Sequence, residues 1–186
     1  MDEKQEKMKY RLADAMKQCM RSSSAEKITV QEIADAAGTT RQTFYRHFLD
    51  KYDLMNWYFD KILQESFKQM GEGRTVYEGL VKKFEFIEEE NTFFRAAFQS
   101  DAQNNLKEHD FQMILRFYTE KMEEASGEAL SERLRFLLEM YCQGSIYMTV
   151  QWVSGRLHRS PEEMAGELVA AMPGELAEVF RSLHLL

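Results

Sequence analysis

The chain has 186 residues, 24 Lys and Arg against 31 Asp and Glu, and a formal charge of −7. This length suits one compact domain, or a small domain fused to a larger one, and it can bury roughly 70% of the unfolded surface without disulfides or a structural metal. Two prolines and nine glycines argue against a turn-rich sandwich or barrel, and the net acidity, taken whole, argues against a nucleic-acid binder.

Read in chain order, the periodicity is helical nearly everywhere. The first seven residues are polar and charged and give no signal-peptide pattern. Met8, Leu12, Ala15, Met16 and Cys19 share one face, and Ser22-Ser23-Ser24 ends that helix. Thr29-Val30-Gln31-Glu32 reads as a capping box that opens a short helix, with Gly38 as its C-terminal stop. Thr39-Thr40 cap a second short helix through Phe48, and a longer one follows from about Lys51 to Met70. Gly71-Glu72-Gly73 reads as a linker.

Further helices are predicted near Thr75–Glu90, Thr92–Phe98, Leu106–Ala125 and Leu130–Leu157. The last contains the longest charge-free stretch, Met140–Gly155, whose 16 residues include Gln, Ser, Thr and Gly. A membrane span needs about 20 mostly apolar residues, so a buried helix is expected instead. Ser160-Pro161-Glu162-Glu163 combines an N-cap, a proline at the first helical position and an acidic third position. Pro173-Gly174 restarts that helix. Cys19 and Cys142 form no CxxC, the usage of a reducing cytoplasm. The expected fold class is all-α.

The strongest local signal lies between Thr29 and Lys51: a capped short helix, a turn centred on Gly38 and a second short helix, together a helix-turn-helix. Ile33, Phe44 and Phe48 would form the apolar wedge that holds the crossing angle. The second helix carries Arg41, Gln42, Arg46 and His47 and no acid. Arg suits guanine edges and Gln suits adenine edges, while hydroxyls and the helix N-terminus suit phosphates. With the two phenylalanines inward, Gln42 and Arg46 point most directly outward, flanked by Arg41 and Tyr45. The same pattern also fits an ordinary solvated helix pair in an all-α protein.

Ile33-Ala34-Asp35-Ala36-Ala37-Gly38, then Thr43-Phe44-Tyr45-Arg46-His47-Phe48 and Lys51, resemble the N-terminal domain of TetR-type transcriptional regulators over roughly Met8–Ile62. The resemblance implies a homodimer whose reading helices enter successive major grooves of a near-palindromic double-stranded operator. It puts base-reading positions at Gln31, Arg41, Gln42 and Tyr45, with Arg46 ranked second. Phosphate-contacting positions fall on Thr29, Thr40, Thr43, His47 and Lys51. Residues 1–50 would be the helix-turn-helix DNA-binding domain, and 51–186 a larger helical domain for regulation, ligand binding and dimerisation.

The body resembles the branch of that family that includes regulators of dihydroxyacetone kinase operons. The resembling pieces are 50–57, 98–106 and 144–148, with Trp152 and the Ser160 helix start. Two apolar faces run along the long helix, one through Leu138, Tyr141 and Trp152, the other through Phe136, Met140 and Tyr147. The resemblance implies a dimeric four-helix bundle from the last two long helices, with Gly144, Met148, Met164, Leu168 and Met172 at the interface. It also implies an internal effector pocket, for which Phe84, Phe94, Phe98, Asn105, His109, Met113, Phe117, Tyr141, Tyr147 and Trp152 are candidates. An aromatic or Met stripe at helical spacing is usually an ordinary core.

No phosphate loop, dinucleotide turn, zinc-protease motif or nucleophile-with-base arrangement is present, so no enzyme, catalytic residue, cofactor or metal is expected. Two functions stay open: a cytoplasmic regulator responding to a small molecule or partner protein, and a co-regulator whose body docks a partner without binding an effector. Charge divides along the chain. Residues 1–51 hold 10 basic and 8 acidic side chains, and residues 52–186 hold 14 and 23. A mildly basic head on an acidic body confines DNA contact to the head.

Overall fold

A computed structural model describes residues 3–71, 75–99 and 105–186 of the protein. Among them the regular elements are all helices: α1 (Glu3–Met20), α2 (Val30–Ala36), α3 (Arg41–Tyr45), α4 (Lys51–Gly71), α5 (Val76–Glu89), α6 (Asn91–Gln99), α7 (Leu106–Ser126), α8 (Glu132–Val153), α9 (Pro161–Ala170) and α10 (Gly174–Ser182). The all-α expectation is met, and none of these helices is long and apolar enough to cross a membrane. The linker expected at Gly71-Glu72-Gly73 lies partly outside the described residues, since α4 runs through Gly71. Residues 100–104 of the branch-resembling segment also lie outside them.

The chain divides into two compact units. One comprises Met1–Ile62 and Glu90–Leu106, the other Leu63–Glu89 and Lys107–Leu186. The segment 90–106, which holds α6, thus belongs with the N-terminal helices despite the intervening α5. In this first unit α1 crosses α2 and also packs against α6. Leu12, Ala13, Met16, Ile33, Ala34 and Phe44 are all but inaccessible, so the apolar face read from α1 meets the small helices. A second apolar cluster joins α4 to α6: Phe59 stands edge-on to Phe94 at 5.7 Å and to Phe98 at 6.1 Å, and Tyr58 to Phe93 at 5.0 Å. Burying each such ring contributes about 1.5–3 kcal/mol before the entropy cost of ordering it.

One charged cluster reinforces that packing. The Lys17 ammonium on α1 donates to the Tyr58 hydroxyl of α4 at 2.9 Å and to Glu90 Oε1, just before α6, at 2.8 Å. Burial works against its charge, yet the hydrogen bonds it donates to Glu90, Tyr58 and Asp14 outweigh burial and hold Lys17 above its ordinary value.

The second unit is built on α5 against α9, with α8 beside α10. Phe84 of α5 meets Trp152 of α8 edge-on at 5.3 Å, and Tyr118 of α7 meets Phe180 of α10 at 5.2 Å. The predicted start of α9 is realised in full: the Ser160 hydroxyl accepts from the Glu163 N–H at 3.2 Å, and the Glu163 carboxylate accepts from the Ser160 N–H at 2.8 Å. The long helix ends earlier than its apolar pattern suggests, at Val153. Gly155 has φ +76, a left-handed conformation that stops the helix before Leu157.

Candidate nucleic-acid interface

The geometry of the head follows from two caps and one glycine. Thr29 starts α2: its hydroxyl accepts from the Glu32 N–H at 3.2 Å, while the Glu32 carboxylate accepts from the Thr29 N–H at 2.7 Å. Gly38 then sits at φ +59, and a Cβ there would stand 2.8 Å from the Arg11 guanidinium. A side chain at this position would be strained by its backbone first and by Arg11 second. Thr40 starts α3 the same way, accepting from the Thr43 N–H at 3.2 Å and sharing a hydrogen bond of 3.1 Å with the Thr43 hydroxyl.

α3 is short, five residues against the nine expected, because the chain turns at Arg46 and His47. Phe44 is fully buried and lies 5.8 Å from Phe48, whose ring is 5.6 Å from Trp57 of α4. Burying Phe44 aims the opposite face at solvent: Arg41, Gln42, Tyr45 and Arg46 are all exposed, Tyr45 at 49%. The Arg41 guanidinium lies 3.5 Å from the Tyr45 hydroxyl and 5.8 Å over its ring, an i,i+4 pair that orders both. The structure therefore gathers four of the five base-reading candidates on one face. The fifth, Gln31, is exposed on α2, with its amide N–H donating to Asp35 at 2.7 Å.

The phosphate candidates fall into two groups. Thr29 and Thr40 are exposed at helix N-termini, with Thr43 one turn into α3, where backbone N–H groups and the helix dipole favour an anion. Lys51 is differently employed. Its ammonium donates to the carbonyls of Glu26 at 2.6 Å and Ile28 at 2.7 Å, fastening the loop that leads into α2. Burial pulls its proton affinity below the ordinary lysine value, against the opposing pull of Glu26, Asp50 and Glu32. His47 is half-buried, and its imidazole is likewise held below the ordinary value, first by burial and then by Lys9 and Arg46.

The body's candidates fall in both units. Phe94 and Phe98 are core residues of the first unit, whereas Phe84, Tyr141 and Trp152 are core residues of the second. His109, Met113 and Phe117 are half-buried, and Asn105 is exposed. Tyr147 is 63% exposed, on the outer face of α8. Tyr141 alone of the ten lines a small enclosed cavity, about 20 Å³, with Lys83, Tyr118, Ser145 and Thr149 among its other walls. Lys83 is nearly buried there, 4.0 Å from the buried Asp110. In the sequence this lysine stands three residues after Leu80 and four before Ile87, inside an apolar stripe.

The interface candidates separate as well. Met164, Leu168 and Met172 are buried within the chain, because their stripe on α9 and its C-terminal end faces the core of their own unit. Gly144 is exposed and Met148 half-buried. With Gly144 on the outer face of α8 stand Phe136 and Met140, 61% and 59% exposed, and Tyr147. No group of three or more His, Cys, Asp or Glu suited to a metal occurs among the described residues.

Two capped helices around a left-handed glycine, with four long polar side chains displayed on the second, define a helix-turn-helix of the type used by DNA-binding regulators. Residues 13–56 match the tetR family of bacterial regulatory proteins, and residues 74–174 match the C-terminal region of a group of transcriptional regulators in that family. The chain belongs to the TetR family, a class of transcription regulators and not of enzymes. It is 27% identical over 90 residues to the HTH-type dhaKLM operon transcriptional activator DhaS of Lactococcus lactis subsp. lactis (strain IL1403). That match spans 48% of this chain and 48% of the relative, about half the length of each. A solved structure titled dihydroxyacetone kinase operon activator DhaS superposes with a TM-score of 0.70, covering 91% of this chain and 96% of that one at 17% identity. The likeness extends the family fold over both units.

Proposed function

We propose that the protein is a cytoplasmic homodimeric transcription regulator that binds a near-palindromic operator and responds, through its body, to a small effector or a partner protein. The observation that supports it most is the exposed face of α3, where Arg41, Gln42, Tyr45 and Arg46 stand free of any acid over the buried Phe44. Arg41 and Gln42 read base edges, Tyr45 and Arg46 flank them, and Thr29, Thr40, Thr43 and His47 set the register on the backbone. Lys51 acts first as a loop fastener and only through that as a phosphate contact. Likeness to DhaS supports a target resembling a dihydroxyacetone kinase operon. The two heads meet both half-sites only at one spacing, so a tilt of either removes a half-site and most of the affinity.

Dimerisation is assigned to the outer face of α8, through Phe136, Met140, Gly144 and Tyr147. Behind it, the Leu168 carbonyl accepts from the Tyr141 hydroxyl of α8 at 3.1 Å.

The cavity beside Tyr141 has room for about one water molecule. Fluorescence anisotropy with the DNA directly upstream of its own reading frame tests the proposal. Tight, salt-sensitive binding is expected, with Arg41→Ala and Tyr45→Ala each losing about tenfold or more for that site. Unchanged specific affinity in both variants would sink the reading. Repeating the titration with dihydroxyacetone, and with proteins co-purifying with the chain, separates the two kinds of effector.

A further inference from the structure

α1 carries a lysine that the helix-turn-helix pattern does not include. We propose that Lys9 is a backbone-phosphate contact of the DNA complex, reaching from α1 to the strand flanking the groove that α3 enters. The inference rests on the DNA-binding reading above and adds a contact from outside the motif.

Three observations converge on Lys9. Its ammonium lies 5.2 Å from the Phe48 ring and 5.4 Å from the Trp57 ring, which fixes a long side chain against the wall behind α3. Aromatic faces attract a cation without neutralising it, so the charge stays available. Secondly, among the described residues no carboxylate forms an ion pair with Lys9, although Glu6 feels its charge. Its neighbours on α1 are claimed, Lys7 by Glu3 at 2.7 Å and Lys17 by Asp14 and Glu90 at 3.1 and 2.8 Å. The nearby Glu6 is held by Lys61 at 2.6 Å. Thirdly, Phe48 directly follows Arg46 and His47, and the charges of Lys9 and Arg46 both reach the His47 ring. Lys9, seated on Phe48, thus adds its charge to that of Arg46 and to the His47 N–H donor near one point at the edge of the reading face. A phosphodiester supplies the single charge and the acceptor oxygens that such a point lacks. Because Lys9 is already ordered by its aromatic seat, less rotamer freedom is lost on contact.

The competing role is a purely internal one, a cation that stitches α1 to α4 through Phe48 and Trp57. Salt dependence tells them apart. Each phosphate neutralised steepens the fall of log affinity with log salt by about 0.9. The experiment measures anisotropy of wild type, Lys9→Met and Lys9→Arg across a sodium chloride series, on the upstream duplex and on an unrelated duplex. Lys9→Met keeps the apolar stem against the rings, and melting curves check that it remains folded. The expected result is a slope shallower by about 0.9 per subunit and an equal loss of affinity on both duplexes, restored by Lys9→Arg. A wild-type slope in folded Lys9→Met overturns the contact while leaving DNA binding intact. A wild type that binds neither duplex overturns the DNA-binding reading and this contact with it.

Discussion

His47 sits where three influences meet, and its protonation should register DNA. In the free protein its imidazole is held below the ordinary value of 6.5 by burial, then by Lys9 and Arg46. As pH falls through that ordinary value, the unfolded chain takes up a proton that the folded chain resists, so this residue's stabilising effect is present above the window and lost below it. A phosphate beside the ring reverses the balance, because an anion favours the imidazolium. DNA affinity is therefore expected to rise between pH 8 and pH 6, by up to about tenfold for each unit that binding raises the imidazole's pKa. Melting temperature of the free protein should move the opposite way over the same range. His47→Gln should flatten the affinity rise, and anisotropy at constant ionic strength measures it. An undiminished rise in that variant would place the proton elsewhere. Lys51 shows the other limit of residue-level reading: its position was legible in the motif, but its employment on two carbonyls depends on a loop 23 residues upstream.

Short-range chemistry made the elements readable. Thr29 with Glu32 and Ser160 with Glu163 announce their helices because both partners of each cap lie within four residues, and both capping boxes form. Gly38 and Gly155 end helices for an equally local reason, a positive φ. The exposed face of α3 was legible too, since burying Phe44 leaves Arg41, Gln42, Tyr45 and Arg46 pointing to solvent. What the sequence could not supply was the fate of an apolar stripe. Met164, Leu168 and Met172 look the same whether they meet their own subunit or another, and the structure spends them inside the chain. The pocket candidates divide for a related reason: α6 joins the first unit, so Phe94 and Phe98 belong to one core and Phe84 to the other. The caps also separate stability from function. Thr40→Ala and Ser160→Ala should each cost about 1 kcal/mol, or about 2–4 °C in melting temperature. Only Thr40→Ala should also weaken DNA binding, because its cap aims α3. Equal DNA affinity for both variants and wild type would show that α3 keeps its aim without the cap.

At the scale of the whole molecule, net acidity and DNA binding are reconciled by where the charges lie. Residues 1–51 carry a small basic excess, and the remaining residues carry 23 acids against 14 bases. Acid on the body discourages loose binding along DNA, and in the proposed function the affinity comes from two heads acting together in a dimer. The outer face of α8 is the surface assigned to that role, and Gly144 offers a test whose two readouts move in opposite directions. Gly144 lies inside a helix, is exposed, and a Cβ built there meets nothing within 4 Å in its own chain. Gly144→Leu should therefore leave each subunit's fold intact and raise helix stability by roughly 0.5–1 kcal/mol through propensity alone. If a second subunit approaches closely at that point, the same leucine holds the helices apart. The expected outcome is a protein of unchanged helicity that sediments as a monomer at micromolar concentration and loses operator affinity by about a hundredfold or more. Tyr147→Glu should give the same shift in mass by placing an uncompensated charge on the face. A Gly144→Leu protein that stays dimeric and binds its operator as wild type does would move the interface off this face of α8.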